Sequence, residues 1–226
     1  MGLLVDGVWQ DDASRTKDGH FVRPTTQFRN WVTADGSPGP TGEGGFPAQP
    51  GRYHLYVSLA CPWAHRTIIF RKLKALENVI SLSVVSPDMG RDGWTFDTAA
   101  GSTGDSINGK AKLSEVYLVA APRYTGRVSV PVLWDKERKA IVNNESSEII
   151  RMLNSAFDAH TNVRTDFYPE ALRAEIDRLN DLIYPNVNGV YRTGFATSQG
   201  AYEQAFRNLF DTLDEIFIKL EEQGRA

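Results

Sequence analysis

A Cys-Pro step set between a β-rich run and a helical one constrains this chain more than any other feature of its sequence. Residues 53–58 (YHLYVS) are aromatic and β-branched and follow Gly51, so they read as a strand. Pro62 suits the first turn of a helix, where its missing N–H costs nothing. That helix is expected to run to about Leu76, with Ile69, Leu73 and Leu76 on one face. Residues 80–85 (ISLSVV) read as a second strand. Strand, helix and strand with short joints make a β-α-β unit and so a parallel pair.

The rest of the chain fits around that unit. Residues 35–45 are rich in turn formers, Gly and Pro above all, so the first fifty residues read as an irregular, exposed extension wrapping a domain that starts near Gly51. Residues 86–127 form a long, glycine-rich connection with a short helix expected at 112–119; connections of such length are usually functional or partly helical. Residues 128–134 read as a strand carrying Pro131, antiparallel to 140–143 across a charged turn. Asn144 is the expected N-cap of the next helix, with Glu145 and Glu148 in its first turn. Beyond Tyr168-Pro169 the pattern is helical only. Leu172, Ile176, Leu179 and Ile183 form one stripe, closed by Tyr184-Pro185. Tyr202, Phe206, Leu209, Leu213, Ile216 and Leu220 form another, widened by Phe210 and Phe217. This last face is wider than its partners can cover, an aggregation liability, and reads as a chain ending inside a helical domain. The expected division is 1–50 (extension), 51–160 (α/β domain) and 161–226 (partial all-α domain).

Composition narrows the function. The chain has 226 residues, 41% of them hydrophobic, enough for a sizeable core. With 25 basic and 28 acidic residues, its formal charge of −3 gives no reason to expect nucleic acid or an anionic membrane as partner. No apolar run reaches the ~18 residues of a membrane span. The N-terminus has neither a signal-peptide pattern nor, with Asp6 at the critical place, a myristoylation motif. A cytoplasmic protein is the default expectation.

The only cysteine, Cys61, can form no internal disulfide. A lone cysteine is commonly a small buried hydrophobe. At a helix N-terminus, however, it faces unpaired N–H groups and the positive end of the dipole, which can lower a thiol pKa from about 8.5 into the range of about 3.5–7.5. His65 and Arg66 could add positive field. Lacking a second cysteine, the Cys-Pro-Trp-Ala pattern needs a sulfur partner from outside, and glutathione is the obvious one. A phosphatase loop would need its arginine one position beyond Arg66. A protease base is lacking in context around His20, His54 and His160. Cys61 and His65 are too few for a metal site in a chain with four histidines. Val130-Pro131 reads either as an edge or bulge proline or as a cis proline beside the cysteine, leaving Val130 open to pair with a peptide. Glu145-Ser146 is either simple capping or an anion site at a helix start.

Taken together, the order of elements, Cys61, Val130-Pro131 and Glu145-Ser146 resemble the thioredoxin-like half of a glutathione transferase. The run 53–67 (YHLYVSLACPWAHRT), with 92–96, 126–135, 144–146 and 189–191, resembles the Xi class, the glutathionyl-hydroquinone reductases, and the resemblance spans nearly the whole chain. It implies a thioredoxin-like α/β domain followed by the all-α glutathione-transferase domain, and glutathione as co-substrate with no metal. Cys61 would be the nucleophile. Trp94 would pack on glutathione, and Arg127, Val128, Ser129, Val130 and Pro131 would line it. Glu145 and Ser146 would hold the γ-glutamyl end, and Tyr191 would relay a proton over the quinone. The family's helical domain continues past the point matching Ala226, so a C-terminally truncated member is expected, homodimeric if it follows its class. Two alternatives remain open: an omega-like thiol transferase or dehydroascorbate reductase, and a catalytically silent glutathione-binding module.

Overall fold

Two hairpins open the chain in the computed structural model, which describes residues 2–11, 16–22, 24–186, 189–222 and 224. They are β1 (Leu3–Val5) with β2 (Val8–Gln10), and β3 (Thr16–Lys17) with β4 (His20–Phe21). The chain divides into two compact units, one of residues 1–13 with 25–167, the other of 14–24 with 168–226. The division falls after Phe167 rather than after residue 160, and the first fifty residues are shared between the units rather than standing apart.

In the first unit the predicted β-α-β block forms as β5 (Tyr53–Val57), α1 (Pro62–Leu73) and β6 (Ser81–Val84). There follow α2 (Leu113–Ala120), β7 (Gly126–Arg127), β8 (Val132–Asp135), β9 (Ala140–Asn143) and α3 (Ser146–Ser155). The main sheet runs β6-β5-β8-β9, with β5 parallel to β6 and the other pairs antiparallel. Every residue of β5 is buried, as a central strand covered on both faces must be.

Several local expectations shift. Helix α1 ends at Leu73, because Ala75 turns into the left-handed region (φ 50°). Its buried residues are Ala64 and Thr67, while Ile69 and Leu73 are 42% and 45% exposed. The helix packs against α3 and β5 with the small Ala64 and Thr67 buried, while Leu76, just past its end, is buried as expected. Strand β8 begins only at Val132, since Pro131 has no N–H to offer a ladder. The N-cap of α3 is Glu145, not Asn144: the Glu145 side chain accepts from the Ser147 N–H.

The extension is not wholly exposed either. Val32, Phe46 and Ala48 belong to the core. Asn30 N–H donates to the Val142 carbonyl (3.0 Å) and Asn144 N–H to the Phe28 carbonyl (3.2 Å), so residues 28–30 cover the open edge of β9. Arg29 forks onto Glu148, with Nε donating at 2.7 Å, and Asn143 Nδ2 donates to the same carboxylate at 2.7 Å. Arg52 and Asp135 form a buried ion pair, with Nε 3.1 Å from each carboxylate oxygen.

The second unit adds α4 (Arg173–Asn186), α5 (Gly189–Gly194) and α6 (Gln199–Glu222) to the β3–β4 hairpin. Helix α4 passes through Pro185 instead of stopping before it. Ala201, Ala205, Leu209 and Thr212 are the buried residues of α6, because Gly189 lets α5 approach closely. The aromatic stripe is turned outward. Tyr202, Phe206, Phe210 and Phe217 are exposed, with Tyr202 stacked on Phe206 at 6.0 Å between centroids and Phe206 tilted against Phe210 at 4.5 Å. Among the described residues no helix is long and apolar enough to cross a membrane.

Candidate active site

The turn out of β5 sets the nucleophile. Buried Ser58 accepts through Oγ from the Ala60 N–H and through its carbonyl from the Cys61 N–H, each at 3.2 Å. Cys61 is extended (φ −104°, ψ 113°) and Pro62 opens α1. His65 N–H closes the first turn on the Cys61 carbonyl at 3.0 Å. The half-buried thiol therefore sits at the start of a helix whose first N–H groups have no helical partner.

Opposite it lies the Val130–Pro131 peptide, which is cis. The Cys61 Sγ is 3.7 Å from the Val130 carbonyl and donates to it, so that oxygen is not free as expected. The Val130 N–H has no partner among the described residues. A main-chain donor open to an added peptide and the nucleophilic sulfur thus lie side by side. The preceding residue is held by fully buried Tyr117, whose hydroxyl donates to the Ser129 carbonyl (2.9 Å) and accepts from Ser129 N–H (3.2 Å) and Asn144 Nδ2 (3.1 Å). Val128 is buried, and Arg127 pairs in β7 with Leu3 while its carbonyl accepts from Tyr124 Oη at 3.1 Å.

The start of α3 supplies a second cluster. One Glu145 oxygen accepts from Thr26 Oγ1 (3.3 Å), the other from Ser147 N–H (3.3 Å) and Oγ (3.1 Å). The Ser146 Oγ accepts from Arg66 Nε (3.0 Å) and Nη2 (2.7 Å), and its N–H has no partner among the described residues. A helix start with an open N–H and a hydroxyl suits a carboxylate, and the Glu145 carboxylate suits an ammonium. Both charges occur at the γ-glutamyl end of glutathione.

The other predicted residues are placed differently. Trp94 is only 8% exposed, and its loop is tied down: Trp9 Nε1 donates to the Arg91 carbonyl (2.9 Å) and Leu113 N–H to the Trp94 carbonyl (2.9 Å). Tyr191 lies on α5 in the other unit, stacked on Phe195 with centroids 6.3 Å apart. His65 is exposed. No cluster of three metal-binding side chains occurs among the described residues. Tyr117 and Thr26 had no signal in the sequence. The place of Arg66 inside the cysteine motif signals a positive charge near the thiol but not its partner, Ser146.

Comparison with known proteins agrees with this geometry. Residues 60–156 match the family of the glutathione S-transferase N-terminal domain. The glutathionyl-hydroquinone reductase YqjG of Escherichia coli is 58% identical over 220 residues, 96% of this chain and 67% of that protein. Its structure with glutathione bound superimposes with a TM-score of 0.88 at 54% identity, over 98% of this chain and 67% of that one. A Xi-class glutathione transferase of Natrialba magadii gives a TM-score of 0.86 at 46% identity, over 98% and 66%. The chain spans about two thirds of the length of these relatives. A Cys-Pro helix start, a cis-proline edge beside it and a Glu-Ser helix cap, carried on sequence this similar, leave one assignment: the chain belongs to the glutathionyl-hydroquinone reductases, the Xi class of the glutathione transferases.

Proposed function

We propose that this chain reduces glutathionyl-hydroquinones to hydroquinones at the expense of a second glutathione, with Cys61 as nucleophile. The tripeptide lies along Val130, its main chain pairing with the open N–H. Arg127, Val128, Ser129 and Pro131 shape that edge from behind, and the exposed margin of Trp94 flanks it. Its γ-glutamyl end meets Glu145 and Ser146. The Cys61 thiolate attacks the sulfur of the aryl thioether. A sulfur–sulfur bond forms, the carbon–sulfur bond breaks, and its electron pair goes to the ring carbon, which takes up a proton. Tyr191 is the proposed proton relay. A second glutathione thiolate then attacks the glutathione sulfur of the mixed disulfide, releasing glutathione disulfide and restoring the Cys61 thiolate. The hydroquinone is the two-electron product, and the two glutathionyl groups leave as the disulfide, so the reaction balances.

The observation that carries this reading is the 3.7 Å approach of Cys61 Sγ to Val130, whose N–H stands open. The setting proposed is cytoplasmic, where glutathione is the abundant thiol, with two chains pairing as a homodimer; sedimentation checks the pairing. The test of the chemistry follows free hydroquinone and glutathione disulfide together from a glutathionyl-hydroquinone with excess glutathione. Equal yields that vanish in Cys61→Ser are expected. Unchanged turnover in that variant refutes thiolate catalysis, and activity toward mixed disulfides alone reassigns the chain to thiol transfer.

A further inference from the structure

Arg66 leaves α1 five residues after the nucleophile and spends two of its N–H donors, Nε and Nη2, on one atom, the Ser146 hydroxyl oxygen, at 3.0 and 2.7 Å. Its guanidinium lies over the Trp63 ring, 5.0 Å from the centroid, which holds it in that orientation. A hydroxyl oxygen has two acceptor lone pairs and one proton. With both lone pairs taken up by Arg66, the proton of Ser146 is left as the only group it can offer. Serine is usually ambivalent between donating and accepting; here it is made a donor.

We infer that Arg66 is a positioning residue that fixes Ser146 as a hydrogen-bond donor and so makes the α3 end of the site selective for a carboxylate. This rests on the reading that the γ-glutamyl end of glutathione lies at Glu145 and Ser146. Three features converge on one ligand oxygen pair: the Ser146 hydroxyl, its open N–H, and the guanidinium charge behind them. Glu145 lies beside them, 3.9 Å from Arg66 Nη2, so the arginine also screens an incoming carboxylate from that negative charge. The neutral amide or hydroxyl of a look-alike peptide would gain none of this. Arg66 also joins the helix that begins at the nucleophile to the helix that binds, since Ser146 lies on α3 and Arg66 on α1.

The test uses the full chain and two non-reacting probes, S-methylglutathione and its analogue lacking the α-carboxylate (S-methylated γ-aminobutyryl-cysteinylglycine), titrated by calorimetry. The wild-type protein is expected to prefer the first by about ten- to a hundredfold, the worth of a hydrogen bond to a charged group. Arg66→Lys keeps the charge but cannot place two donors on one oxygen; its preference should fall to about threefold or less. Ser146→Ala should fall as far, and the double variant no further, since both changes remove one interaction. Thermal melts confirm folding, and a purely structural role for Arg66 would weaken both probes equally. If Arg66→Lys keeps the wild-type preference, or if the two losses add, the inference is wrong. If the wild-type protein shows no preference at all, the γ-glutamyl reading itself fails, and the inference with it.

Discussion

Replacing Tyr117 by Phe removes one oxygen from the centre of the first unit and tests how the binding edge is held. That oxygen serves the Ser129 carbonyl, the Ser129 N–H and the Asn144 amide at 2.9–3.2 Å, and the ring around it is fully buried. Phenylalanine fills the same space, so packing is kept and the whole effect is polar. Each partner left unmet in the core costs about 1 kcal/mol at the low end, for a loss of about 3 kcal/mol. For a chain of this size that corresponds to a fall in Tm of about 6–12 °C. Tyr124→Phe is the matched control, since its hydroxyl makes one bond, to the Arg127 carbonyl, and should cost about 1 kcal/mol. Thermal and urea unfolding of both variants measure the difference. Because Ser129 precedes the pairing residue Val130, Tyr117→Phe should also raise KM for glutathione more than it lowers kcat. If it is no less stable than Tyr124→Phe, the Tyr117 network does not hold the loop and the argument is refuted.

Other consequences can be measured directly. Burial holds the His54 pKa down at about 4, with Nδ1 against Ser81 Oγ at 2.7 Å. The unfolded chain therefore binds a proton that the folded one refuses, and stability should fall by about 3 kcal/mol as pH drops from about 6.5 to about 4; His54→Asn should flatten that slope in urea titrations at several pH values. Arg52→Met strands the fully buried Asp135 carboxylate and should cost about 3–5 kcal/mol, with much of it recovered in Arg52→Met/Asp135→Leu. Gly93→Ala places a methyl 2.8 Å from Trp9 at a φ of 71°, so it should cost at least about 1–2 kcal/mol and disturb the loop of Trp94, seen as altered tryptophan fluorescence.

Local chemistry made the centre of the fold readable. Residues 53–58, Pro62 and 80–85 each favour one conformation by themselves, so strand, helix and strand could be placed before any contact was known. The Glu145-Ser146 helix start and the Val130-Pro131 step were equally local, though only the assembled sheet brings Val130 to Cys61. What escaped was decided by tertiary partners. Arg66 and Ser146 are 80 residues apart, and nothing in either neighbourhood says that they meet. The inward face of α1 follows from what α3 allows, not from the strongest apolar period, so Ile69 and Leu73 misled. Glycine at 189 shows why α6 turns its small residues inward and its aromatic ones out: close approach outweighs hydrophobicity at that crossing.

The strip of extension along β9 has a consequence during synthesis. Arg29 leaves the ribosome early, but its partner Glu148 follows 119 residues later. At about 5–20 residues per second that is a wait of roughly 6–24 s during which Arg29 is made but lacks its partner on α3. Only when the edge strand and α3 have emerged can residues 28–30 close over them, so this strip docks after the sheet it covers has been made. A nascent chain stalled with residue 140 just clear of the ribosome should therefore leave residues 28–30 open to protease, and one stalled with residue 155 clear of it should protect them.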